Sequence, residues 1–313
     1  MTATSVKHPW MIVQLVLIAC GLAVAILFTV ISPSSPPPSF RPATLGDQPS
    51  GAVVLGKEDG GLAVGVAAAP RDGRLLVVAT VFAQTGGGAA GLRTSLAITT
   101  RDGRHMTAAA SACSAGCYQA VFGTSELPRR ISVAFNGRRR VEFALPAHGP
   151  SPSALRLVRR AGAEYGKIRT LVTHERLASD LTHVAYTTYY AVAPDKLHFV
   201  VRGEEQSIII GNRRWDRTLG GRWKASPQTP IKPIAPYWAP LVQDATILGT
   251  VSVHGRPCWK IAFADPQTPG FFTIWVDKSN DRTLELEMTA PAHFMHHVYG
   301  PFNAPLKVEP PST

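Results

Sequence analysis

Hydrophobic and polar positions alternate in short runs along most of this chain, and Gly, Asp and Asn separate the runs. AVVLG (52–56), LAVGVAAA (62–69), LLVVATVFA (75–83), LRTSLAITT (92–100), HMTAAAS (105–111), CYQAVF (117–122), ISVAF (131–135) and VEFALP (141–146) read as strands. RDGR occurs twice between them and FNGR once, as turn chemistry requires. A spacing of roughly ten residues with no helical period predicts an immunoglobulin-like β-sandwich over 51–147.

The pattern changes at 148. Ser151 can cap a helix, Pro152 suits its first turn, and Leu155, Val158, Gly162, Tyr165, Ile168 and Val172 recur every three or four residues. Everything after that helix reads as strand: 183–192, 196–202, 207–211, 215–219, 245–253, 258–264, 271–277, 283–290 and 294–300. One helix and about nine antiparallel strands predict an α+β second domain over 148–313, a curved half-barrel packed on the helix. The chain is thus mainly β.

Two segments break the alternation. Residues 10–31 are 22 uncharged, apolar residues, long enough to span a bilayer as an N-terminal anchor within 1–31. Leu17-Ile18-Ala19-Cys20 also resembles a lipobox, and simple signal cleavage is a third possibility. All three place the body on the extracytoplasmic side of the cell membrane. A linker with six prolines follows at 32–50. The second break is PQTPIKPIAPYWAP (227–240), whose five prolines keep it out of any central strand. It reads as a lid or as a rigid strap.

Composition changes this picture little. The net charge of +11 is concentrated between Arg129 and Arg176, where eleven Lys/Arg meet three Glu. An anionic headgroup or cell-wall polyanion fits that stretch, as does a merely solvated face. No nucleic-acid motif accompanies it. Cys113 and Cys117 form a CxxxC, read as a local disulfide in an oxidising compartment.

The chemistry-bearing motifs of hydrolases, nucleotide binders and zinc proteases are absent, and no close carboxylate pair stands in for them, so the chain reads as non-catalytic. Five of six tryptophans lie after residue 200. They read either as core or as the wall of an apolar cavity lined by Tyr165, Tyr189, Trp215, Trp223 and Trp275, with Tyr237 and Trp238 as its plug. In His293-Phe294-Met295-His296-His297 a strand places His293, Met295 and His297 on one face, a donor set suited to copper. The alternative is a sheet face that happens to carry histidines.

YYAVAPDKLHFVVRGEEQSIIIGNRRWDRTLGGRW and VYGPFNAPLKVEPP resemble the LolA/LppX-like lipoprotein-carrier fold over roughly 153–311. That resemblance implies a half-barrel that carries lipid or acyl chains. LGKEDGGLAVGVAA, CSAGCYQAVF and MTAPAHFMHHVYGPFNAPLKVEPP are similar to the soluble C-terminal tail of CopD/YcnJ-type copper-transport proteins. Those proteins have many spans and this chain has one, so transport does not carry over; His293, Met295 and His297 are the positions that likeness would use. The sequence therefore predicts an anchored binding protein for a lipid-like ligand, with no cofactor. The alternatives are a copper accessory and a structural adaptor with a protein partner on the sandwich.

Overall fold

The computed structural model describes residues 48–312 except 84–86, 138, 180–181, 239–241, 243 and 266–269. The apolar run 10–31, Cys20 and nearly all of the proline-rich linker lie outside the described residues. Among those described, no helix is long and apolar enough to cross a membrane.

Nine strands come first: β1 (Val53–Asp59), β2 (Leu62–Arg71), β3 (Arg74–Phe82), β4 (Thr94–Thr99), β5 (His105–Ala109), β6 (Ser111–Ser114), β7 (Cys117–Phe122), β8 (Arg130–Phe135) and β9 (Arg139–Ala144). They form two sheets, ordered β1-β2-β3-β7-β6 and β5-β4-β8-β9. Setting β1 aside, these are the A-B-E-D and C′-C-F-G orders of an immunoglobulin-type sandwich. Val66, Val77, Leu96, Ile98, Ile131 and Val133 meet between the sheets in one buried cluster. A disulfide joins Cys113 in β6 to Cys117 at the start of β7.

Helix α1 (Pro152–Glu164) starts as its sequence dictates, with the Ser151 Oγ accepting a hydrogen bond from the Ala154 N–H at 3.2 Å. It buries Ala154, Leu157, Val158 and Ala161. The helical period reads on to Val172, but the chain leaves the helix at Glu164 through a single 3-10 turn. Ile168, Thr170, Val172 and Thr173 explain the difference: β-branched side chains lose rotamer freedom in a helix and pack well in a strand.

The remaining strands are β10 (Thr170–Ala178), β11 (Val184–Val192), β12 (Lys196–Val201), β13 (Glu205–Ile210), β14 (Arg213–Thr218), β15 (Lys224–Pro227), β16 (Ala245–Val253), β17 (Arg256–Asp265), β18 (Gly270–Asp277), β19 (Thr283–Ala290) and β20 (His293–Phe302). They make one antiparallel sheet ordered β15-β14-β13-β12-β11-β10-β20-β19-β18-β17-β16. Two meanders, β10–β15 and β16–β20, therefore run outward as wings from a central β10–β20 pair.

Register assigns every side chain of this sheet to one of two faces. The pairs Glu175↔His297, Leu177↔Met295 and Leu286↔His297 put these residues on one side, here called inner, which faces α1. Ala178, Phe294 and Phe271 point to the outer side, where they join Ala52, Val54 and Ala67 of the sandwich in a shared apolar cluster. The closest approach is at Phe271. A Cβ at Gly65 would lie 1.9 Å from its Cζ, and one at Gly56 would lie 2.4 Å from its Cβ. Only a residue without a side chain lets β1 and β2 rest on that ring.

Replacing Gly65 by Ala should therefore destabilise the protein by about 1–3 kcal/mol, the usual cost of overpacking. Phe271→Ala alone should cost about 3–5 kcal/mol. In urea titrations the double variant should be no less stable than Phe271→Ala, because the clash disappears with the ring. Additive losses would place the two residues apart.

Candidate functional site

The inner face of the sheet is covered by α1 and by the proline-rich segment 228–238. Ile231, Ile234 and Trp238 of that segment are buried. Trp238 packs edge-on against Tyr165, with centroids 5.9 Å apart, and against Phe263 of β17 at 5.7 Å. A Cβ on Gly162 of α1 would touch the indole nitrogen at 3.7 Å. Phe263 stacks in turn on Phe272 at 5.4 Å. Through Trp238 the segment thus fills space between helix and sheet with its own side chain. Among the described residues, its one main-chain hydrogen bond runs from the Gln228 N–H to the Asn212 carbonyl.

Beneath this strap the apolar lining is interrupted by a polar cluster. Glu175 of β10 and His297 of β20 are both buried, and their Oε1 and Nε2 lie 2.9 Å apart. The Tyr189 hydroxyl donates to Glu175 Oε2 at 2.6 Å, and the Tyr299 hydroxyl lies 3.1 Å from His297 Nδ1. Tyr237 of the strap sets its ring edge-on to His297 at 4.7 Å. Among the described residues the buried Tyr165 hydroxyl makes no hydrogen bond of ordinary geometry, although it faces the hydroxyls of Tyr299 and Thr283. Burial pushes its acidity to about 12 and raises Tyr189, Tyr237 and Tyr299 well above the usual phenol range, so all four stay neutral. Burial also works to raise Glu175. The hydrogen bond and charge of His297, with the Tyr189 hydroxyl, outweigh it and hold the carboxyl below its ordinary range. His293 is lowered, chiefly by burial.

Of the seven aromatic residues expected to line a cavity, Tyr165, Tyr189, Tyr237 and Trp238 come together here. Trp215, Trp223 and Trp275 do not. Trp215 pairs with Ile208, which pairs with His198, and this chain of partners lies on the outer face. Trp275 is opposite Lys260, whose ammonium sits 4.7 Å over its ring, and packs with Val253, Cys258 and Leu284. Trp223 follows the β14 turn under the Arg217 guanidinium, at 4.7 Å. For Trp215 and Trp275 strand parity is the reason, since one residue's shift along a strand moves a side chain to the opposite face, whereas Trp223 lies in the loop before β15.

His293, Met295 and His297 do share a face, but both ring nitrogens of His297 are taken by Glu175 and Tyr299. Among the described residues, no group of three or more His, Cys, Asp or Glu is placed to hold a metal ion. Sequence reasoning missed Glu175, Phe263 and Tyr299. Glu175 could have been found, since in TLVTHERLA it falls on the parity of Leu171 and Thr173, a carboxylate on an otherwise buried face.

No family model and no curated protein matches the sequence. Among solved structures, the chain is similar to LprF from Mycobacterium bovis, at 12% identity and a TM-score of 0.41 over 52% of this chain and 99% of that one. It is also similar to the Mycobacterium tuberculosis lipoprotein LppX, at 13% identity and a TM-score of 0.39 over 51% of this chain and 100% of that one. A LolA superfamily protein from Nitrosomonas europaea is 10% identical, with a TM-score of 0.23, over 51% of this chain and 95% of that one. These likenesses concern the fold alone, which here stands on the strand order already described. The copper-transport tails do not appear among these neighbours.

The site should make stability pH-dependent. His293 is held below its ordinary value of 6.5, so the unfolded chain takes up that proton first and stability falls as pH drops through 6.5. Glu175 is held below 4.5, so its contribution is complete above that pH and is lost below it. Urea midpoints should decline in two stages on acidification, with the first stage reduced in His293→Asn. His297→Ala should cost about 3–5 kcal/mol at neutral pH, because it leaves the buried Glu175 carboxylate without its partner.

Proposed function

We propose that this protein is a non-catalytic, membrane-anchored carrier that shelters one lipid-like acyl chain between α1 and the inner face of the sheet. The supporting observation is that Trp238 of the strap is buried there against Tyr165 and Phe263, with Ile231 and Ile234 of the same segment also buried, while among the described residues the strap holds a single main-chain hydrogen bond. Its prolines forbid pairing with a strand, so it can lift without breaking a ladder. An apolar ligand would take the place of those three side chains.

Magnitudes select the ligand's size. Exposing three large apolar side chains costs about 5–9 kcal/mol, and each buried methylene returns about 0.8 kcal/mol. Roughly six to eleven methylenes are needed to balance the strap, which favours a long acyl chain over a small apolar molecule. The extracytoplasmic location is part of the same reading. The Cys113–Cys117 disulfide fits an oxidising compartment, and residues 10–31 would supply the anchor.

A photoactivatable fatty acid, added to the full chain in nanodiscs, tests the proposal by peptide mapping. Labelling at Trp238, Phe263 or Phe272 supports it, and labelling confined to residues 10–31 removes it. Ile231→Ala with Ile234→Ala should increase labelling severalfold, because a weakened closed strap raises the fraction of binding-competent protein.

A further inference from the structure

The sandwich covers the outer face of the β16–β20 wing and, among the described residues, reaches the other wing only at Ala178 and Val184 of its first two strands. On the rest of that wing the outer face is open, and at the end where the β12–β13 and β14–β15 turns meet it has a distinct composition. Tyr186 is 46% exposed and Leu219, in the turn after β14, is 77% exposed, two of only four large hydrophobic residues exposed among those described. Arg202 lies over the Tyr186 ring at 5.2 Å and Arg217 over the Trp223 ring at 4.7 Å. Val200, Gln206 and Arg217 are consecutive cross-strand partners and therefore share this face. With Gly203, Glu205 and Leu219 they line a cleft of about 250 Å³.

We propose that this tip docks on the surface of an anionic bilayer. Arg202 and Arg217 lie on this face, Arg222 and Lys224 lie in and just after the β14–β15 turn at the same tip, and among the described residues none is ion-paired to a carboxylate; Glu204 and Glu205 offset two of the four charges. The excess is positive, and an anionic headgroup layer complements it. Tyr and Trp rings carrying a stacked guanidinium suit the headgroup level, where one end of the group is apolar and the other wet. Leu219, at the apex of Thr218-Leu219-Gly220-Gly221, is the side chain that would enter the acyl boundary. The proposal does not depend on a bound ligand, so it stands or falls apart from the carrier reading.

The test uses the full chain in phosphatidylcholine nanodiscs, mixed with sucrose-loaded vesicles that are then sedimented. Vesicles containing phosphatidylglycerol should capture the protein, and vesicles of phosphatidylcholine alone should capture at least tenfold less. Leu219→Asp and Arg222→Glu, both at exposed positions, should each reduce capture severalfold and leave the circular dichroism spectrum and urea midpoint unchanged. Arg156→Glu with Arg159→Glu, on the exposed side of α1, should leave capture intact. Equal capture by both vesicle types overturns the proposal, as does loss of capture in the helix variant but not in the tip variants. Absence of capture by either vesicle assigns the patch to a protein partner and also overturns it.

Discussion

An open sheet of eleven strands has two faces, and a single helix cannot cover both. This constraint organises the molecule. On the inner side α1 covers part of the area and the proline-rich strap supplies the rest, with side chains in place of backbone pairing. On the outer side the sandwich takes one wing, seated on the Phe271 ring through two glycines that offer no Cβ. Beyond its contact with the sandwich at Ala178 and Val184, the second wing covers its outer face with aromatic rings under arginine stems.

Paired ionisable groups at the centre of such a sheet are costly to bury, and their placement suggests what they contribute. Glu175 and His297 are direct cross-strand partners, 122 residues apart in sequence, on the two strands where the wings meet. A slip of one residue would leave one of them on the inner face and turn the other to the outer, so that neither meets its partner. Correct pairing satisfies both with the hydroxyls of Tyr189 and Tyr299. Such an arrangement penalises the wrong register more than it stabilises the right one.

Much of the architecture was legible in the sequence. Turn residues marked the sandwich strands, and the Ser151-Pro152 pair marked the start of α1. The end of α1 was not, because Ile168 and Val172 continue its period while belonging to a strand. Half of the site was legible as composition: Tyr165, Tyr189, Tyr237 and Trp238 are aromatic residues that do converge. Trp215, Trp223 and Trp275 have the same chemistry in other surroundings, distinguished by register for Trp215 and Trp275 and by a loop position for Trp223. The histidines show the same limit. A metal ligand and a hydrogen-bonded core histidine look alike until the partner is known, and Glu175 lies too far along the chain for spacing to reveal it.

The central pair of the large sheet also sets the order in which the sheet can be assembled. Each wing is a meander of neighbouring hairpins, cheap to close because its contacts are local. The seam between β10 and β20 is the opposite: its loop-closure entropy is lost before any contact compensates for it. As the chain emerges during synthesis, the first wing can form while β10 still presents a bare edge with its inner face uncovered. That nascent edge is the species a chaperone would have to shield, and it persists until β20 arrives.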